Sequence, residues 1–91
     1  MTEHQRIEQA ASLAVAEAKR ASERWPEYHS LHEGFAVIFE ELDELKDAMR
    51  ANDRQQAAHE AIQVASTAIR FAATFCTPDL LAASTTGEEN E

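Results

Sequence analysis

Apolar residues recur at three- and four-residue steps through three successive stretches of this chain, and two short breaks separate them. The first row is Ile7, Ala11, Ala14, Ala18, Ala21 and Trp25; the second is Leu31, Phe35, Ile38, Leu42, Leu45 and Met49. A third stretch carries two adjacent rows, Ala58, Ile62, Ala65, Ile69, Ala72 and Cys76 beside Ala57, Ala61, Val64, Ala68, Phe71 and Phe75. That spacing lines one side of an α-helix and does not fit a strand, whose faces alternate residue by residue. The punctuation agrees. Thr2 is placed to cap a helix over 3–24, and Pro26 drives Trp25 out of helical backbone. Ser30 with Glu33, and Asp53 with Gln56, have the spacing of capping boxes. A second helix therefore opens at Ser30, and a third runs from the Ala51-Asn52-Asp53 break to Cys76. Thr77-Pro78-Asp79 reads as a cap with proline at the first helical position, opening a short fourth turn through Ala83. The expectation is an all-α antiparallel bundle of three main helices plus a short fourth. It forms one domain over 1–83, with a disordered acidic tail at 84–91.

Composition decides how such a bundle is held together. Eighteen alanines against two glycines and two prolines favour helix nearly everywhere. Leu, Ile, Val and Phe supply only 17 of the 91 residues, so the core is thin. A domain of this size buries about 60–65% of its unfolded surface. Self-association into a homo-oligomer, a dimer or a tetramer, is the expected remedy. The double apolar row of the third helix spans nearly half its circumference, more than a solvent-facing helix needs, and marks the expected subunit interface.

Charge narrows the partners. A formal net charge of −9 argues against a nucleic-acid binder and against a basic membrane-surface segment. No apolar run approaches the roughly 18 residues that span a bilayer. The opening MTEHQRIEQ lacks the pattern of a secretory signal, so a cytoplasmic location is expected. Cys76 alone permits no internal disulfide and reads as a small apolar core residue.

The acids are uneven. Residues 31–52 carry six acids and two bases, concentrated in Glu40-Glu41-Leu42-Asp43-Glu44-Leu45-Lys46-Asp47. Glu41 and Glu44 lie one turn apart, with Glu41 at the edge of the apolar row and Glu40 directed away from it. Glu60 and Gln63 have the same spacing on the third helix. A short reversal at 51–53 makes the two helices antiparallel, and Glu44 and Glu60 then stand at matching heights. Three carboxylates and one amide oxygen can converge there. Two carboxylates about 5 Å apart repel by roughly 3 kcal/mol at an effective dielectric of 20. Oxygen ligands of this kind suit Mg²⁺ or Mn²⁺, which keep waters and bind substrate phosphates. The same run also reads as a solvated acidic face, with Asp43 and Lys46 as a helical pair.

Glu40-Glu41-x-x-Glu44 followed by Glu60-x-x-Gln63 resembles the EExxE…ExxD signature of MazG-like all-α nucleoside triphosphate pyrophosphohydrolases. The surrounding SLHEGFAVIFEELDELKDAM and HEAIQVASTAIRF are similar to a short phage and bacterial subgroup, over residues 25–76. The resemblance implies a homo-oligomeric enzyme that uses Mg²⁺ to split a (d)NTP into a nucleoside monophosphate and pyrophosphate. Carried over by position, it implies Glu41, Glu44 and Glu60 as metal ligands and Gln63 at the place of the family's aspartate. Glu40 becomes a supporting acid beside Glu41 and Glu44 in catalysis. Gln63 departs from the pattern, because an amide oxygen brings no negative charge to the ion.

Other residues have more than one reading each. His29, His32 and Glu33 can be metal ligands or serve the turn and cap before the second helix; His32 and Glu33 can also face the sugar or base of the substrate. Trp25 and Tyr28 can stack on a base or anchor the loop. Lys46, Arg50, Arg54 and Arg70 are candidate phosphate contacts, Arg70 foremost, two turns beyond Gln63. No glycine-rich phosphate loop and no Ser/His/Asp arrangement is found in the sequence. The rival to the enzyme is a non-catalytic helical interaction or nucleotide-binding module of the same fold.

Overall fold

A computed structural model describes the backbone of residues 1–76 and 78–89, with side chains to Ala83. The helices are α1 (Glu3–Arg24), α2 (Leu31–Arg50), α3 (Arg54–Phe75) and α4 (Pro78–Glu89). No strand occurs among the described residues.

The boundaries follow from local chemistry. At the start of α1 the Thr2 hydroxyl accepts from the Gln5 N–H at 3.1 Å, and the Gln5 side chain accepts from the Thr2 N–H at 2.8 Å. This is a complete capping box. Ser30 caps α2 by accepting from the Glu33 N–H at 3.1 Å, while Glu33 reaches back one residue further than a capping box requires, to the His29 N–H. Asp53 caps α3 through the Gln56 N–H at 3.0 Å. Between α2 and α3 the chain reverses at Asn52, whose φ of 56° is left-handed. The Asp53 N–H donates to the Ala48 carbonyl and the Asn52 N–H to the Met49 carbonyl, each at 3.0 Å. That is the Schellman pattern, with asparagine where glycine commonly stands.

Helix α3 is the centre, packing against α2 on one side and α1 on the other. These two neighbours half-bury Ile62, Val64, Ala65, Phe71 and Phe75 but leave Ala58, Ala61, Ala68 and Ile69 of the wide apolar sector exposed. Part of that sector is thus used within the chain. The contacts are made largely by small groups: Ala14 and Ala18 of α1, Gly34 and Ala48 of α2, and Ser66 and Thr67 of α3 are buried. Small residues let helix axes come close.

A correction to the sequence reading concerns the rotation of α2. Gly34 and Ala48 face inward with half-buried Val37, Ile38, Glu41 and Leu45. Leu31, Phe35, Phe39, Leu42 and Met49 face outward, Phe35 being 63% and Met49 62% exposed. The inward row keeps a three- and four-residue step but includes a glycine and a glutamate, which a purely apolar pattern skips. In α1, Ala14 and Ala18 are inward as expected, whereas Ile7 and Trp25 are exposed.

An aromatic cluster closes one end of the bundle. Tyr28, in the α1–α2 connection, is buried and stacks on Phe75 with ring centroids 6.5 Å apart. Phe71 and Phe75 meet at 4.9 Å. Gly34 lets α2 approach this cluster. A Cβ on Gly34 would stand 2.6 Å from a Phe71 ring carbon and 3.0 Å from one of Tyr28.

Helix α4 runs to Glu89, beyond the expected end at Ala83. Leu80, Leu81, Ala82 and Ala83 are good helix formers, and no proline stops the chain after them. The acidic-tail expectation for Asn90 and Glu91 lies outside the described residues. No described helix is long and apolar enough to cross a membrane.

Gly34→Ala should destabilise the protein by about 1–2 kcal/mol, because overpacking outweighs the gain in helix propensity. Equilibrium denaturation measures this; an unchanged or raised stability would mean that α2 does not approach Phe71 this closely.

Candidate metal centre

Glu44 lies nine residues before Asp53 and Glu60 seven after it, so at about 1.5 Å per residue the two stand at nearly the same height on antiparallel helices. Glu41 is one turn from Glu44 on the same face. One carboxylate oxygen from each of Glu41, Glu44 and Glu60 lies within 4.8 Å of the other two. The three acids expected to converge do converge.

Their environments are graded. Glu60 is only 7% exposed, Glu41 is half-buried and Glu44 is exposed. The Glu60 Oε1 accepts from the Gln56 side-chain amide at 2.7 Å. The Glu60 Oε2 is buried without a hydrogen-bond partner. An unsatisfied buried oxygen costs roughly 1–3 kcal/mol, and more when charged. A divalent cation between the three carboxylates would satisfy this atom and offset the crowding, so the residues present fit Mg²⁺ or Mn²⁺.

Electrostatics report the same strain. Burial, followed by the charge of Glu60, pushes the Glu41 carboxyl above its ordinary value of 4.5. Glu44 is also raised, first by a carboxyl–carboxyl hydrogen bond to Glu60 and then by the charges of Glu41 and Glu60. Such a bond forms only while one of the pair holds a proton. With both ionised, the Glu60 Oε2 has no donor.

The remaining site residues are dispersed. Glu40 is exposed next to Glu41. Gln63 is half-buried, and its amide acts on Glu17 of α1. The Glu17 carboxyl is held below its ordinary value, chiefly by its hydrogen bond to Arg20, with smaller pulls from Gln63 and His59. Lys46 pairs with Asp43 at 2.6 Å along α2. His32, Glu33, Trp25 and Arg70 gather instead at the α1–α2 connection. Glu33 accepts from the His29 N–H and lies 3.3 Å from its imidazole; His32 and Trp25 are exposed. Arg70 donates to the carbonyls of Trp25 and Pro26 at 3.3 and 3.0 Å and lies 5.1 Å from the centre of the Tyr28 ring. Arg70 is thus a loop anchor in this structure.

Sequence reasoning missed Gln56 beyond its capping position. Its spacing of four from Glu60 puts the two on one helix face, which is the signal that could have found it. The chain has no significant match among protein-family models, curated proteins or solved structures.

A carboxyl raised in the folded state binds its proton more tightly there than in the unfolded chain. Its ionisation therefore lowers stability as pH rises from the ordinary carboxylate value through the raised one. Glu44→Gln removes that penalty. In metal-free buffer the variant should melt above wild type at neutral pH, and the gap should close as pH falls below about 4.5, the ordinary value. Melting curves that stay parallel across this range would contradict the crowding.

Proposed function

We propose that this chain is a Mg²⁺-dependent nucleoside triphosphate pyrophosphohydrolase, converting a (d)NTP and water to a (d)NMP and pyrophosphate. The convergence of Glu41, Glu44 and Glu60, with one buried carboxylate oxygen unpartnered, carries the reading. The resemblance of the Glu40-Glu41-x-x-Glu44 and Glu60-x-x-Gln63 segments supplies the reaction class.

In this reading Glu41, Glu44 and Glu60 hold the ion. Mg²⁺, when bound, supplies positive charge against the phosphate oxygens and a place for an ordered water. Glu60 is the fixed member, since burial and Gln56 restrain it. Glu44 forms the open rim from which a polyphosphate approaches. Glu40, exposed beside Glu41, can accept the proton of the attacking water at a carboxylate oxygen. Lys46 pairs with Asp43 and borders the apolar hollow rather than the three carboxylates, so the phosphates are left to the ion, while Arg70 holds the loop that seats Tyr28. The chain's own net charge of −9 would repel a polyphosphate, so binding requires the ion as a bridge.

The reading also includes self-association. Phe39, Leu42, Leu45 and Met49 of α2 and Ala57 of α3 line a concavity of about 660 Å³, and none of the three clustered carboxylates borders it. An apolar hollow of this kind suits a second copy of the chain. A protomer mass by light scattering at micromolar concentration would remove this part.

Incubation with a panel of (d)NTPs and Mg²⁺ should release pyrophosphate. Glu44→Gln and Glu60→Gln should each lower the rate by about 100-fold or more, as loss of a metal ligand demands. Absence of release from every nucleotide would leave the rival, a helical binding module, in place.

A further inference from the structure

Glu60 reaches the carboxylate cluster from a helix whose first turn is set elsewhere. Asp53 caps α3 and fixes the backbone of Gln56, whose N–H donates to the Asp53 carboxylate at 3.0 Å. One turn later the Gln56 side-chain amide donates to Glu60 Oε1 at 2.7 Å. With that oxygen occupied, the second oxygen of the same carboxylate is the one left buried without a partner. We propose that Gln56 is a positioning residue, holding Glu60 in the single orientation that turns its Oε2 toward Glu41 and Glu44. The inference rests on the metal reading above and adds a residue to it.

The chemistry requires an amide at position 56. Its N–H₂ is a neutral donor, so it restrains one carboxylate oxygen without adding charge that would compete with a cation. Glutamate there could only accept, and asparagine is one methylene too short to span the turn. Metal ligands are commonly oriented by such a partner, whose removal weakens metal affinity about 10–100-fold.

The test is Mn²⁺ binding to the full chain, followed by the electron paramagnetic resonance signal of the free ion. It is run at a temperature where circular dichroism shows each variant fully helical. Gln56→Met removes the donor at nearly constant size, and Gln56→Ala removes it with a strong helix former. Gln55→Met is the neighbouring control, and Glu44→Gln removes a ligand. We expect Glu44→Gln to weaken binding, both Gln56 variants to weaken it about 10–100-fold, and Gln55→Met to leave it unchanged. The thermal shift induced by Mn²⁺ should shrink in the Gln56 variants, whereas a purely structural role would lower the midpoint and leave the shift intact. Wild-type affinity in both Gln56 variants, with Glu44→Gln weakened, overturns the positioning role and leaves the metal centre standing. No Mn²⁺ binding by wild type overturns both.

Discussion

Helices α2 and α3 cannot slide past one another, and the rest of the structure depends on that. Asp53 closes the Schellman turn of α2 with its N–H and caps α3 with its carboxylate, so one residue sets the register of both helices. At the other end, Gly34 admits the rings of Phe71 and Tyr28 against the α2 backbone. Between these two contacts one carboxylate oxygen from each of Glu41, Glu44 and Glu60 comes within 4.8 Å of the other two.

That confinement gives the site its gradient. Glu60 lies at the base, restrained by Gln56 and cut off from water, Glu41 lies half-way, and Glu44 stands at the rim. Each step outward lowers the cost of a charge, and each step inward raises what a divalent ion would gain by bridging the acids. Burial, then the charge of Glu60, raises the Glu41 carboxyl, whereas the hydrogen bond with Glu60 and the neighbouring charges raise that of Glu44. Such a centre is open on one side and anchored on the other, which suits an ion that must keep coordination positions for water and phosphate.

The helix ends were legible from residue types, because caps are local chemistry: Thr2, Ser30 and Asp53 each satisfy a backbone N–H three residues on. The height match of Glu44 and Glu60 was legible too, since it needs only a helical rise and a short reversal. The rotation of α2 was not. Periodicity counts apolar residues, whereas the close approach to Phe71 selects Gly34 and carries Glu41 inward with it. Arg70 could not be assigned from sequence because its partners are backbone carbonyls of Trp25 and Pro26, which every residue possesses. The wide apolar sector of α3 was visible, but the pattern cannot say whether neighbours come from the same chain or another.

Small residues fill the inner contacts of this bundle, Leu31, Phe35, Phe39, Leu42 and Met49 of α2 face outward, and Glu41 and Glu60 sit on the packed side. The central claim is that Glu41, Glu44 and Glu60 share one divalent ion. Anomalous diffraction from crystals grown with Mn²⁺ tests it most directly. A single peak within coordination distance, about 2.0–2.6 Å, of oxygens from all three residues is the expected result. Crystals that take up Mn²⁺ only elsewhere, or that show the three carboxylates turned apart, would contradict the account.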